Sequence, residues 1–255
     1  MNNPSQPILR WHFRQLLAAT VGLPFIAAVV CVLTTIVRYP NATYTHCEVS
    51  NFAPSISAAI GTFKPQRYIW QACISLHCAP RFLFAFLHAH HFHQRLPHSP
   101  LNAFLVQLVL VVHVVENLGL LTLTIVSSHE NFPIHKTAFG TFIFCSLIYM
   151  TVSVYLCCRG GYSAQNNYER YAVVLKKRFL KITLFSVMLM LYFYWRHNEY
   201  CEPYVYSFFC ICEYVIVLSN MAFHGTAYYD FYASDCLVTR STFDYRPLSS
   251  VDTSI

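Results

Sequence analysis

Charge is what this chain has least of. Asp, Glu, Lys and Arg make up 11% of its 255 residues, against roughly 25% in an ordinary soluble domain. A surface of that composition cannot be covered with polar groups in water, which excludes a soluble globular enzyme. Seven Gly and 12 Pro are too few for a collagen-like or low-complexity chain, and the low charge excludes disorder. Several catalytic signatures are missing too: His-Glu-x-x-His, Gly-x-Ser-x-Gly, a Gly-rich phosphate loop and Cys-x-x-Cys. No nucleic-acid motif and no channel filter loop or charge ring is evident. What is there is 56% hydrophobic and 16% aromatic, the composition of a chain embedded in a membrane.

A bilayer core takes roughly 20 apolar residues as helix. Runs near that length, bounded by charge, Pro or polar clusters, fall at residues 16–37, 68–87, 103–126, 137–157, 179–195 and 204–224. The expected fold is therefore all-α, a polytopic membrane helical bundle of about six transmembrane helices. The first run is too long for a signal-peptide core and is followed by no small-residue cleavage site, so it reads as a retained span. Residues 1–15 form a short N-terminal segment, 16–231 one membrane domain and 232–255 a polar tail. Lys and Arg gather on the side of both termini, most densely at Lys176-Lys177-Arg178. By the positive-inside rule both termini are expected in the cytosol. The net charge of +6 is then mainly an orientation signal.

On this topology the Asn41-Ala42-Thr43 sequon lies in the first non-cytosolic loop, where an N-glycosylation acceptor can be used. Cys47 and Cys201 are the cysteines of the non-cytosolic loops, a compartment that permits either a bridge between them or two free thiols. The cysteines inside the spans read as small packing residues.

Charge at the bilayer centre costs about 2.5–3.5 kcal/mol on insertion scales, so each intramembrane ionisable residue needs a reason. His77 and Arg81 stand four apart on one helical face, with Pro80 between them expected to kink the helix and free a carbonyl. His113, Glu116 and Asn117 share a face of the third span. Glu213, Asn220 and His224 share one of the sixth, within roughly 40° of one another. Stripes of this kind must face one another or a wet cavity. The simplest neutralisation pairs Arg81 with Glu116 or Glu213. Such groups either hold the bundle together or form a polar pocket for a lipid headgroup or a reacting ester. The tract His88, His90, His91, His93 and His98 has no companion His boxes, and no metal site is expected there.

Several strings carry a family resemblance. They are Thr45-His46-Cys47 with the stretch from Pro54 to Gly61; Pro65-Gln66-Arg67-Tyr68-Ile69-Trp70; Leu76-His77-Cys78-Ala79-Pro80-Arg81-Phe82-Leu83; Val115-Glu116-Asn117-Leu118 running to Val126-Ser127-Ser128; Arg196-His197-Asn198-Glu199-Tyr200-Cys201-Glu202-Pro203; and Asn220-Met221-Ala222-Phe223-His224 with Thr226-Ala227-Tyr228-Tyr229-Asp230-Phe231. In these the chain resembles the post-GPI-attachment-to-proteins factor two family, within the broader Frag/DRAM/Sfk group of multi-span membrane proteins. The tail after Tyr232 and the His-rich tract depart from the family pattern.

The resemblance implies fatty-acid remodelling of glycosylphosphatidylinositol (GPI) anchors after their attachment to protein, by reacylation of lyso-GPI with a saturated chain. It also implies residence in the Golgi membrane and in the endoplasmic reticulum. GPI-anchored proteins and their lyso-GPI lipid are the implied clients. If the chain is catalytic, His113 or His77 would activate the lipid hydroxyl while Glu116 or Glu213 orients the imidazole; acyl-CoA would be the donor, with no bound cofactor. The alternative is a non-catalytic lipid-binding adaptor that recruits a separate acyltransferase. On the luminal side His46, Ser127, Ser128, His135, His197, Asn198 and Glu202 are placed to meet sugars. Arg67 and Arg196 are the natural phosphate partners there, because a guanidinium binds oxygens bidentately. Arg81, Asn117, Asn220 and His224 would contact the lipid within the spans. Tyr245-Arg246-Pro247-Leu248 matches a tyrosine-x-x-bulky sorting pattern.

Overall fold

The computed structural model describes residues 9–161, 167–232, 234–238 and 243–247. Six long helices run back and forth: α1 (Phe13–Arg38), α3 (Gln66–Arg95), α4 (Pro100–Ile125), α5 (Phe132–Arg159), α6 (Asn167–Tyr200) and α7 (Val205–Gly225). Two short helices join them, α2 (Ile56–Gly61) and α8 (Ala227–Asp230). The starts follow local chemistry. Ser99 caps α4 by accepting from Asn102 N at 3.2 Å with Pro100 in the first turn. Asn131 caps α5 by accepting from Ile134 N at 3.1 Å, again with a proline in the first turn.

Five helices are long and apolar enough to cross a membrane: α1, α3, α4, α5 and the α7–α8 stretch Val205–Asp230. The expected run 179–195 is helical but lies inside α6, which at 34 residues is the longest helix and is not among those five. Its first half carries Lys176, Lys177, Arg178 and Lys181, and these dilute its apolar stretch. Geometrically α6 still traverses the bundle. The loop after α6 meets the loop after α1 through a Cys47–Cys201 disulfide with Cα atoms 5.2 Å apart. At the other end β1 (Leu9–His12), before α1, pairs antiparallel with β2 (Ser234–Val238), which pairs with β3 (Phe243–Pro247). The two terminal segments, expected as a short N-terminal segment and a polar tail, thus meet in one small sheet, and both ends of the described chain lie at the same end of the bundle. Tyr245, Arg246 and Pro247 of the sorting pattern lie in β3, and Leu248 lies outside the described residues.

Three apolar clusters hold the helices together. One joins Ala27, Ile74, Leu120, Phe142, Met190 and Ile216 near the disulfide end. A second joins Phe92, Val109, Tyr149, Leu156, Val173 and Phe223. A third packs Phe13 against Phe84 and Phe231 close to the sheet. Large apolar side chains are also exposed all round, Phe25, Phe86, Phe104, Phe144 and Met188 among them, as expected of a surface solvated by lipid. Between the first two clusters, at the level of Cys78, Glu116, Ser146 and Asn220, the interior turns polar.

Candidate functional site

The interior polar layer is built around one ion pair. Arg81 Nη2 donates to Glu116 Oε1 at 2.6 Å, with both side chains buried. Of the two partners expected for Arg81, the structure selects Glu116. Arg81 also donates to His224 Nε2 at 2.6 Å and approaches His77 Nε2 at 3.4 Å. Asn220 Nδ2 donates to Glu116 Oε1 at 2.9 Å and to Ser146 Oγ at 2.6 Å. His77 Nδ1 donates to the carbonyl of Thr20 at 2.6 Å. Pro24 stands four residues after Thr20 and has no N–H, so that carbonyl has lost its helical partner. The backbone acceptor that serves the site is thus freed by Pro24 on α1; Pro80 had been expected to supply one. Asn117 Nδ2 ties α4 to the Cys78 carbonyl of α3 at 3.1 Å.

His113, Tyr149 and His224 form a triangle of rings, with His113 4.4 Å from Tyr149 and 4.9 Å from His224, and Tyr149 5.0 Å from His224. The His113 ring nitrogens, Glu116 Oε2 and Asn117 Oδ1 find no hydrogen-bond partner among the described residues. Ligand atoms of His113, Glu116 and His224 lie within 4.8 Å of one another. Arg81 already donates to two of the three, so the positive charge at this point is a guanidinium. A small cavity of about 50 Å³ reaches His77, Arg81, Asn220 and His224, too small for an acyl chain.

Glu213, expected with the others, borders the same small cavity but has no hydrogen bond to Arg81 or Glu116 among the described residues. It is buried and accepts from Ile56 N at 3.1 Å, fastening α2 to α7. There it borders a second and much larger cavity, a groove of about 690 Å³ between α5 and α6. Phe139, Ile143, Phe144, Leu147, Val187, Met190 and Leu191 line its length; His46, Ser128, His129, His135, Lys136, His197 and Asn198 line its mouth at the disulfide end. Phe132, Phe144 and Leu191 are more than half exposed, which opens the groove sideways to lipid. From Lys136 to Leu147 along α5 is roughly 16 Å at the helical rise per residue. The shape is a long apolar trough with a polar head.

The luminal arginines are engaged within the chain. Arg67 donates to Glu130 Oε1 at 2.6 Å, and Ser127 N and Oγ both reach Glu130 Oε2 at 3.0 Å. These bonds hold the Glu130 carboxyl at about 2, below its ordinary 4.5. Arg196 forks onto Glu202, with Nη2 to Oε1 at 2.8 Å, and lowers that carboxyl as well. Neither arginine borders the groove; Arg196 gives two of its nitrogens to Glu202 and Arg67 one to Glu130. The cation at the mouth is Lys136, exposed and over the Tyr194 ring, with no carboxylate partner among the described residues. Sequence reasoning passed over it because a lone interfacial lysine carries no pattern. His197 is buried beside His46, and that burial, with the neighbouring imidazole, lowers its pKa. Asn41 is exposed in the short 3-10 turn Pro40–Thr43. Of the His-rich tract, which α3 carries through to Arg95, His88 and His91 are buried, with His88 3.6 Å from Asp230 and Asp230 paired with Lys176.

Residues 12–234 match the family model described as the Frag1/DRAM/Sfk1/Cwh43P N-terminal domain. The chain is 39% identical over 243 residues to Post-GPI attachment to proteins factor 2 of Caenorhabditis elegans, covering 92% of this chain and 91% of that one. It is 40% identical over 223 residues to a Xenopus tropicalis protein named Acyltransferase PGAP2, covering 86% and 88%. The Drosophila melanogaster factor 2 is 34% identical over 233 residues, 91% of each chain. No solved structure matches. The match to the family model over almost the whole membrane bundle, together with these relatives aligned over most of their length, places the chain in the post-GPI attachment to proteins factor 2 family of the Frag1/DRAM/Sfk1 group.

Proposed function

We propose that this protein remodels the lipid of GPI anchors after their attachment to protein, by reacylating a lyso-GPI intermediate with a saturated fatty acid. The observation that carries this reading is the groove between α5 and α6. Its apolar trough suits a single acyl chain entering from the bilayer, and its mouth offers Lys136, His46, His129 and Asn198 to a phosphate and sugars. The names of the relatives point to the same lipid, and one is named an acyltransferase. The clients are GPI-anchored proteins, the donor is an acyl ester such as acyl-CoA, and the work is done in Golgi and endoplasmic reticulum membranes with both termini in the cytosol. The buried Arg81–Glu116 layer joins α3 and α4 to α7 and, through Ser146, to α5.

The test uses purified protein in liposomes containing lyso-GPI and acyl-CoA. Gly140 borders the groove and a Cβ there meets nothing within 4 Å; Gly22, on α1 away from the groove, is equally open. Gly140→Phe, which fills the trough, is expected to cut product formation by about tenfold or more, the loss of roughly 1.4 kcal/mol of productive binding, whereas Gly22→Phe leaves it unchanged. Equal effects of the two substitutions count against the groove. Lyso-GPI binding without turnover in the unmodified protein favours an adaptor that hands the lipid to another acyltransferase.

A further inference from the structure

Ser57, in the first turn of α2, faces α5. Its Oγ lies 2.8 Å from His135 Nε2, and His135 Nδ1 lies 2.8 Å from the carbonyl oxygen of Val126. A carbonyl only accepts, so Nδ1 carries the proton and the Nε2 lone pair is left for the serine hydroxyl. The imidazole is buried and cannot rotate away, while Ser57 is half-buried and borders both the groove and the small central cavity. A hydroxyl donating to an imidazole whose other nitrogen is anchored is the arrangement that activates a serine nucleophile. It stands where the trough meets the mouth, one residue from Lys136. By contrast, His113 and Glu116 in the polar layer do not border the groove.

We propose that Ser57 and His135 form a nucleophile–base pair that carries the acyl group as an ester on Ser57; this rests on the acyl-transfer reading above. His135 Nε2 takes the Ser57 proton as Oγ attacks the carbonyl carbon of an acyl ester or thioester. The bond from that carbon to the donor oxygen or sulfur breaks, and the leaving group takes the proton back from His135. In the second half the hydroxyl of the lyso-lipid gives its proton to His135 and attacks the Ser57 ester. The C–O bond to Ser57 breaks, Oγ recovers the proton and the lipid leaves acylated. Donor and acceptor thus use the same trough in turn, with no other residue changing its charge.

The experiment uses the full chain in nanodiscs with a long-chain alkyl fluorophosphonate, which phosphonylates activated serines. Labelling is expected at Ser57, found by peptide mass spectrometry, and is expected to fall by about a hundredfold or more in Ser57→Ala and His135→Ala, the worth of a positioned base. Ser57→Cys is expected to hold the acyl group as a hydroxylamine-labile thioester. Supplying acyl-CoA in one arm and a diacyl phospholipid in another, and reading the mass of acylated Ser57, tells which donor is used. Retention of the Cys47–Cys201 bridge and an unchanged elution volume show that the variants are folded. No label in the unmodified protein, or turnover undiminished in Ser57→Ala, overturns the pair, and the latter leaves acyl transfer standing. A labelled Ser57 in a protein that acylates no lyso-GPI supports the pair and overturns the lyso-GPI substrate.

Discussion

Arg81 and Glu116 are buried in a layer with apolar clusters on either side, and such a pair is stable only while both members are present. Removing one partner of a buried ion pair costs about 3–5 kcal/mol, because the other is left as an uncompensated charge, whereas replacing both by apolar groups is often near neutral. Arg81→Met is therefore expected to lower the melting temperature in detergent more than the double variant Arg81→Met/Glu116→Leu does, and a fluorescence-detected thermal melt reads the difference. Additive losses would mean that the two side chains do not interact. The convergence of Arg81, Glu116, Asn220 and His224 is legible in the sequence, since each stands on a polar stripe that lipid would reject. Which carboxylate Arg81 takes is not. Glu213 lies on the same stripe of α7 but two turns away from Asn220, and the backbone N–H of Ile56 claims it there. His135 and Ser57 were invisible as a pair for the same reason: 78 residues separate them.

Helices α4 and α5 approach closely at Gly119. A Cβ there would stand 3.2 Å from Phe142 N and 3.3 Å from Ala138 O, both backbone atoms of α5 that cannot rotate aside. Overpacking of this kind costs about 1–3 kcal/mol, so Gly119→Val is expected to destabilise the protein by that order. Gly140→Ala, on the open face of α5, is expected to be neutral or stabilising by up to about 1 kcal/mol, the helix propensity gained. Urea or thermal unfolding in micelles compares the two, and equal losses would refute the close approach. The long helices follow from uncharged length, and each expected run lies within a helix or extends it by a few residues. The short α2 does not announce itself, being six residues held by the Ser55 cap and by Glu213 from a helix remote in sequence. The β1–β2 pairing is similar, since its two strands are more than 200 residues apart.

Taken as a molecule, the bundle has its disulfide at one end and its sheet at the other, which requires an even number of passes from β1 to β2. Five helices qualify as membrane spans on composition, and an odd number of crossings would put the termini on opposite sides. The sheet places them together, and on that ground α6 is expected to serve as a sixth pass. Of its basic first half, Lys176 is buried against Asp230 while Lys177, Arg178 and Lys181 are exposed, and Glu169 holds Arg95 at 2.6 Å. Epitope tags at the two termini are accordingly expected to be protected or digested together when sealed microsomes are treated with protease; digestion of one alone would restore the five-pass count.

Apolar length and the placement of charge, which act locally and need no partner, are enough for the sequence by itself to determine a helical membrane bundle, its approximate spans and the helical faces that turn inward. The strings from Thr45 to Phe231 also carry the family. Only the tertiary structure decided which residues form a site. It paired Arg67 and Arg196 with carboxylates, set Lys136 over the Tyr194 ring at the mouth, gave Glu213 to the Ile56 backbone, and brought Ser57 to His135 at the head of a groove. Those outcomes depend on distances between helices, and distance across a bundle is fixed by packing, which no spacing along the chain records.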